Sequence, residues 1–298
     1  MLKKWIVRIC TISLVVLALP LMVLAETVGV FFDSNVAQIK FAADDVKTAL
    51  ESKGFSVEML PLSALNTKYS KKKVVIGLSR NVELMKLLQF EGGTVSTGLG
   101  EQTYALQTTS KSQKSYWVLG GDANGAMYGG LEIAENIKFH SLTGTYNSKE
   151  SPAIMKRGIK LNYPLDVNNP TYGKHDNGTF EGISYQNAIS NIWDMNYWTE
   201  WFDEMARNRY NVVSLWLCHP FTSLIKMDEY PDVAIQNVTG FDGFTKTMTM
   251  DQKIDFWKKV MAYAHARGFE FYFLIGTCLH TVQPINMVLP VKLIIRQR

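Results

Sequence analysis

The sequence has few cysteines and no concentrated run of basic residues. Each of these absences excludes a class of protein or site. It has 3 cysteines in 298 residues, too few for a disulfide framework, although Cys218 and Cys278 would be free to pair in an oxidising compartment or to stay as two buried thiols. No spacing of Cys and His is typical of a zinc site, and no metal or cofactor is predicted. The net charge of +4 does not form a stripe with interleaved aromatics, which argues against nucleic-acid binding.

The first 25 residues read as a leader. Lys3, Lys4 and Arg8 precede an apolar run at 12–23, and small residues end the run at Ala25. This pattern predicts a signal peptide cleaved near Ala25, and therefore a periplasmic or secreted protein with no membrane attachment after cleavage. An uncleaved membrane anchor is the alternative, but the run is short for a span.

Residues 26–140 predict a small α/β domain, because apolar strands alternate with amphipathic helices. The predicted strands are 27–32, 55–60, 73–78, 104–108 and 116–120, and the predicted helices follow Ser34 or Asn35, Asn81 and Gly125. The glycine-rich turn at 120–125 has two interpretations. It is either a phosphate-binding loop at a helix start or a plain strand-to-helix turn, and the absence of a surrounding nucleotide motif favours the second.

After a predicted linker at 141–153, residues 154–277 predict the start of a parallel barrel. Strands at 157–163, 211–217 and 269–275 alternate with helices at about 197–208 and 251–267. This is the order of an incomplete (β/α)8 (TIM) barrel, with about three of its eight strands. Residues 278–298 form an irregular tail. The expectation is therefore the front part of a larger enzyme, ended early.

One segment carries a family resemblance. Residues 116–132, YWVLGGDANGAMYGGLE, resemble the end of the small domain that precedes the catalytic barrel in bacterial β-hexosaminidases and α-glucuronidases. Pro152 and the Arg157-Gly158 pair match the linker and the first barrel strand of those families. The resemblance implies an exported glycoside hydrolase that acts on O-glycosidic bonds with two carboxylic acids. In those families the acids lie on later strands, so this chain is expected to lack them, and its catalytic residues are unknown.

The resemblance and the barrel pattern together give five candidate substrate-binding residues. Arg157 matches the arginine that binds sugar hydroxyls in hexosaminidases, or else it forms a structural salt bridge at the barrel floor. Asn162 lies near the end of the first strand and Asp166 follows it, where hexosaminidases carry a different pattern, and this difference leans towards the α-glucuronidases. Asp166 is otherwise a solvated loop carboxylate. Trp216 and His219 fall at the end of the second strand, where barrel enzymes place their sites.

Two other functions stay open. A non-catalytic glycan-binding surface or periplasmic protein would use Trp216 and nearby aromatics, although large rings also simply fill cores. A periplasmic solute-binding protein would show two similar lobes, which the aromatic-rich second half does not match. The core interpretation is preferred for most tryptophans of that half, which are Trp193, Trp198, Trp201, Trp216 and Trp257.

Overall fold

The computed structural model describes residues 25–95, 97–162, 164–168, 188–217, 222–240 and 242–275. The predicted leader and the predicted tail lie outside these ranges. So do His219 and both cysteines of the predicted pair, Cys218 and Cys278. Within the described ranges, no helix combines the length and the apolar character that crossing a membrane requires.

The first unit is a six-stranded sheet covered by helices. The strands are β1 Thr27–Phe32, β2 Ser56–Pro61, β3 Lys72–Leu78, β4 Tyr104–Thr109, β5 Ser115–Gly120 and β6 Asn147–Glu150, and the helices are α1 Ala37–Ser52, α2 Val82–Phe90 and α3 Ala123–His140, with a 3-10 turn at Leu62–Ala64. The strand order is β2-β1-β3-β5-β4-β6, where β1, β2, β3 and β5 are parallel and β4 runs antiparallel to both β5 and β6. The predicted mixed α/β architecture with parallel strands is therefore confirmed.

The sixth strand lies inside the stretch that the sequence assigns to a linker. All four of its residues are polar and exposed, so they show no alternation that would indicate a strand. Their backbones pair with β4 at the sheet edge. An edge strand formed this way leaves no signal in the side chains.

The predicted helix starts agree with the structure only in part. Asn81 caps α2 by accepting the Leu84 N–H, as expected. The predicted cap of α1 by Ser34 or Asn35 is wrong, because Val36 is the N-cap residue and no side chain caps that helix. At α3 the cap is Asp122, which accepts the Gly125 N–H at 2.7 Å.

The glycine-rich turn at the start of α3 allows neighbouring backbone segments to pack closely. A Cβ at Gly121 would lie 2.1 Å from the Gly100 carbonyl oxygen, and one at Gly125 would lie 2.2 Å from that of Thr103. Neighbouring backbone therefore occupies the space next to both glycines. This close approach explains the glycines and favours the interpretation as a plain turn.

The second unit holds three parallel strands. They are β7 Gly158–Asn162, β8 Val212–Leu217 and β11 Glu270–Ile275, and the helices between them are α4 Ile189–Ile192, α5 Met195–Arg207 and α6 Met250–Ala266. A 3-10 turn, Pro231–Val233, and a hairpin of β9 Asn237–Thr239 and β10 Thr245–Thr247 precede α6. The sheet order is β11-β8-β7. The register confirms that these three strands are parallel, as predicted. The described residues do not contain a closed barrel.

The two units share one hydrophobic core. Phe41 from α1 and Met127 from α3 belong to the same buried cluster as Trp198, Trp257 and Leu215 of the second unit. Helices α5 and α6 pack together over one side of the three-stranded sheet. The small domain therefore packs directly against the helices of the second unit.

Candidate carbohydrate site

The carboxyl ends of β7, β8 and β11 meet at one edge of the sheet. Asn162 is the register partner of Trp216, and Trp216 is the partner of Leu274. Two residues predicted to bind substrate are thus adjacent along the edge where barrel enzymes carry their sites. The structure gives their backbone positions, whereas His219 lies outside the described residues.

A row of polar residues lies two positions before Asn162, Trp216 and Leu274 on the three strands. This row is absent from the sequence-based predictions. Lys160, Ser214 and Tyr272 are register partners across the three strands. Their neighbours Val213 and Leu215 are fully buried against the helices. Because side chains alternate along a strand, these polar side chains belong to the opposite face of the sheet. The alternation is visible in the sequence and could have identified the row.

Asp166 binds two loops together at this edge. It is fully buried, so the alternative of a solvated loop carboxylate is wrong. Its Oδ2 accepts the backbone N–H of Thr239 at 2.6 Å, and its Oδ1 accepts that of Asn168 at 2.8 Å. The Val167 N–H in turn donates to the Thr239 carbonyl at 2.8 Å. These contacts fix the loop after β7 to strand β9.

Lys253, on helix α6, contacts the loop that follows β8. Its side chain is fully buried, and its Nζ donates to the Ile235 carbonyl at 2.6 Å and lies 3.4 Å from that of Asn237. Burial lowers the pKa of Lys253, and the negative charge of Asp166 opposes that shift. The loops that follow β7 and β8 are therefore held by a buried polar network.

The tryptophans of the second unit whose side chains the structure describes are chiefly core residues, as expected. Trp193, Trp198 and Trp257 are almost completely buried. The indole N–H of Trp193 donates to the Leu165 carbonyl at 2.7 Å, and that of Trp198 donates to Ile192 at 2.8 Å. Trp198 meets Trp257 edge to face with 5.5 Å between ring centroids. These tryptophans belong to the core that packs against the sheet and supports its carboxyl edge.

Arg157 lies at the other end of β7, away from this edge. Its guanidinium donates to the Arg209 carbonyl at 2.7 Å and to Gln102 Oε1 at 2.9 Å, and it also donates to the Ile154 carbonyl. These contacts favour the structural role left open by the sequence, although the partners are carbonyls rather than an acid. The structure therefore does not bring Arg157 together with Asn162, Asp166 and Trp216.

The described residues contain no cluster of three or more His, Cys, Asp or Glu side chains that would hold a metal ion. No family model matches the chain, and no curated protein matches it.

Solved structures similar to this chain are glycoside hydrolases. One is a GH138 enzyme targeting pectin rhamnogalacturonan II, with a TM-score of 0.56 and 20% identity over 85% of this chain and 32% of that one. A second is CpGH84D, with a TM-score of 0.49 and 11% identity over 86% of this chain and 36% of that one. A third is a GH20 exo-β-N-acetylglucosaminidase from Vibrio harveyi, with a TM-score of 0.42 and 11% identity over 84% of this chain and 33% of that one.

The likeness to the GH138 enzyme establishes the fold. This chain has the mixed α/β architecture found in part of a glycoside hydrolase, and it spans about a third of the length of the structures it matches. At identity this low, the structural likeness shows the fold alone, and the chemistry has to be argued from the residues of the site.

Proposed function

We propose that this chain is an exported carbohydrate-active protein corresponding to the front part of a glycoside hydrolase, with its saccharide site at the carboxyl edge of β7, β8 and β11. The observation that carries the proposal is the parallel register of these three strands, in which Asn162 pairs with Trp216 at one edge. Parallel α/β sheets bind ligands at this edge because the connecting loops converge there.

The loop network supports a preformed site. Asp166 and Lys253 bind the loops after β7 and β8 through buried contacts with backbone groups. A site with fixed loops loses less conformational entropy when a ligand binds. We assign Asp166 to positioning these loops, because both of its oxygens already accept backbone N–H groups.

We propose further that this chain alone binds saccharide without hydrolysing it. Hydrolysis usually requires two carboxyl groups on either side of the glycosidic bond, and Asp166, the acid in the described part of the loop after β7, has both oxygens committed to the loop network. A non-catalytic glycan-binding protein is therefore the second candidate, favoured by the same observation on Asp166. For the glycoside hydrolase to which this chain corresponds, we propose the α-glucuronidase-like specificity suggested by Asn162 and Asp166.

Two experiments test saccharide binding and hydrolysis by this chain. A glycan array detects binding, and release of chromophore from aryl glycosides detects hydrolysis by the purified chain. Binding without release supports the proposal. Turnover by this chain alone would show that it contains both acids. Export is tested separately by N-terminal sequencing of the protein from the periplasm or medium, where the mature chain is expected to begin after Ala25.

A further inference from the structure

A crevice opens at the carboxyl ends of strands β1, β2 and β3 in the small domain. The sheet order places β1 between β2 and β3, and all three strands are parallel. Helix α1, which follows β1, packs with α3 against the sheet face that carries Val30 and Ile76. Helix α2, which follows β3, packs against the opposite face, which carries Phe31 and Val75. The chain therefore leaves two adjacent parallel strands toward opposite faces, and α/β proteins bind ligands in the crevice that this arrangement opens.

The crevice contains a cavity of the size of a small-molecule site. Its volume is about 470 Å³, which falls within the usual range for such sites. Its lining comes from the segments that follow β1, β2 and β3. Part of this lining is apolar and includes Phe32, Leu62 and Leu84, of which Phe32 and Leu84 are buried. This part suits a ligand with a compact apolar body.

The charged side chains that line the crevice are both acidic, Asp33 and Glu83. The lining residues all lie within the described range 25–95, and none of them is Lys or Arg. Glu83 is largely in water and is paired with Lys86 at 2.8 Å. Asp33 is half-buried, and its Oδ1 accepts the Asn35 N–H at 3.0 Å. Within the described part of the chain, no hydrogen bond or ion pair occupies its Oδ2.

This charge distribution excludes one class of ligand and favours another. Phosphate groups, the usual ligands of such crevices in nucleotide-binding proteins, are anions that Asp33 would repel. The N-terminus of α1 follows Asn35 and attracts negative charge, but it carries only about half of a positive charge. Asp33 lies just ahead of that helix and supplies a full negative charge, so the crevice keeps a negative balance. A cation is therefore attracted to it.

We propose that this crevice binds a small organic cation in which a primary ammonium group is attached to a compact apolar body. The ammonium group has three N–H donors, which would bind Oδ2 of Asp33 and the hydroxyl oxygens of Ser34 and Ser63. The apolar body would lie against Leu62 and Leu84. A charge-assisted hydrogen bond is roughly twice as strong as a neutral one, so the contact with Asp33 would determine the selectivity. The crevice belongs to the small domain and is separate from the proposed saccharide edge of the second unit.

The test measures binding of phenethylammonium to the purified chain by titration calorimetry at neutral pH, with three matched compounds. Phenethyl alcohol keeps the ring without the charge, hydrocinnamate reverses the charge, and methylammonium lacks the ring. Saturable binding of phenethylammonium is expected, with at least roughly tenfold weaker binding of the other three. Equal binding of the alcohol or of hydrocinnamate would overturn the role of the charge, and equal binding of methylammonium would overturn the role of the apolar lining. No binding of phenethylammonium would overturn the proposal entirely.

Asp33→Asn is the main variant, because it removes the charge and keeps an oxygen that can accept the Asn35 N–H. It should weaken binding of phenethylammonium roughly tenfold or more and leave the urea midpoint unchanged. Asp44→Asn is the matched control, since Asp44 is exposed on α1 outside the lining and pairs with Lys40. It should keep the affinity. Unchanged affinity in Asp33→Asn, or an equal loss in both variants, would contradict the proposal.

Ser63→Tyr tests the location without changing the charge. Ser63 is exposed and lines the crevice, so a larger side chain there should fill part of the cavity and weaken binding severalfold. Ser70→Tyr adds the same side chain at an exposed position outside the lining and should keep the affinity. Equal affinities in these two variants would show that the cation binds elsewhere. Binding of neutral glycans at the sheet edge of the second unit should be the same in all four variants, so the two sites can fail independently.

Discussion

Arg207 and Asp45 form a two-point ion pair that joins the two units of the chain. Arg207 Nε lies 2.8 Å from Asp45 Oδ2, and Nη2 lies 3.0 Å from Oδ1. Asp45 is on α1 of the small domain, where it is 8% exposed, and Arg207 ends α5 of the second unit. Phe41 lies beside this pair and is covered by the guanidinium of Arg267, whose carbon is 4.4 Å from the ring centre. The small domain is thus fixed to the helices that support the proposed site.

Replacing Asp45 with Ala should loosen this junction. The expected loss is about 1–2 kcal/mol, reduced from the value for a fully buried pair because Arg207 remains partly in water. Urea unfolding followed by tryptophan fluorescence measures it. Lys40→Ala is the control, since it breaks an exposed pair with Asp44 on the same helix and should cost less than about 0.5 kcal/mol. Equal losses in the two variants would mean that the junction does not depend on this pair.

The buried pair of Lys73 and Glu91 should respond strongly to loss of one partner. Its atoms are 3.1 Å apart, and the side chains are 1% and 4% exposed. Lys73→Met leaves a buried carboxylate with no cation beside it and only the Ser112 hydroxyl as a partner, and it should cost about 3–5 kcal/mol. The double variant Lys73→Met, Glu91→Leu should recover most of this loss, measured by urea midpoint. A double variant as unstable as the single one would show that the pair itself, rather than the stranded charge, matters.

Two glycines with similar backbone angles offer a matched comparison. Gly268 has φ +79° and Gly243 has φ +81°. A Cβ at Gly268 would lie 2.2 Å from Asn124 Oδ1, whereas one at Gly243 would meet nothing within 4 Å. Alanine at Gly243 should cost about 1 kcal/mol from backbone strain, and alanine at Gly268 about 1–3 kcal/mol more because the Asn124 contact must shift. Thermal denaturation of both variants checks this. Similar costs would show that the contact with Asn124 relaxes freely.

Asp166→Asn should free the loops at the proposed site. The amide supplies one acceptor where the carboxylate supplies two, so one of the two backbone N–H groups loses its partner. Amide hydrogen exchange at Thr239 and Asn168 should accelerate, while exchange within β3 of the small domain stays the same. Unchanged exchange at both amides would contradict the assignment of Asp166 as the residue that positions these loops.

Tyrosine burial predicts a loss of stability at high pH. Burial is the main cause that raises the pKa of Tyr104, Tyr116 and Tyr263 to about 12. In the unfolded chain tyrosine loses its proton near pH 10, so the folded chain holds more protons between about pH 10 and about pH 12. The contribution of these tyrosines to stability is therefore full below about pH 10 and is lost as the pH rises to about 12. Tyrosinate absorbance, measured against pH with and without urea, should titrate later in the folded protein. Superimposable curves would contradict this.

The sequence predicts the fold well where apolar periodicity is strong. The predicted bounds of strand β1 match the structure to the residue, and the parallel set of β7, β8 and β11 follows from alternation of strands with amphipathic helices. Edge strand β6 is not predicted, because its side chains are all polar and exposed. Its place in the sheet depends on the free backbone edge of β4, which no local pattern reports.

The site is harder to predict, because its polar residues are far apart in the sequence. Asp166 is a candidate from its position after the first barrel strand, but its burial depends on Thr239, 73 residues away. Lys253 gives no signal for the same reason, since a lysine in an amphipathic helix is normally exposed. Arg157 is predicted at the start of the first barrel strand and lies one residue before β7, but its contacts with Gln102 and Arg209 arise from the packing of the two units.

Photoaffinity labelling with neutral oligosaccharides, followed by mapping of the labelled peptides, locates the saccharide site on the chain. We expect labels within residues 160–168 and 214–240, at the carboxyl edge of β7 and β8, and competition by the unmodified oligosaccharide. Labels confined to the small domain, or the absence of competable labelling, would contradict a saccharide site on this sheet edge.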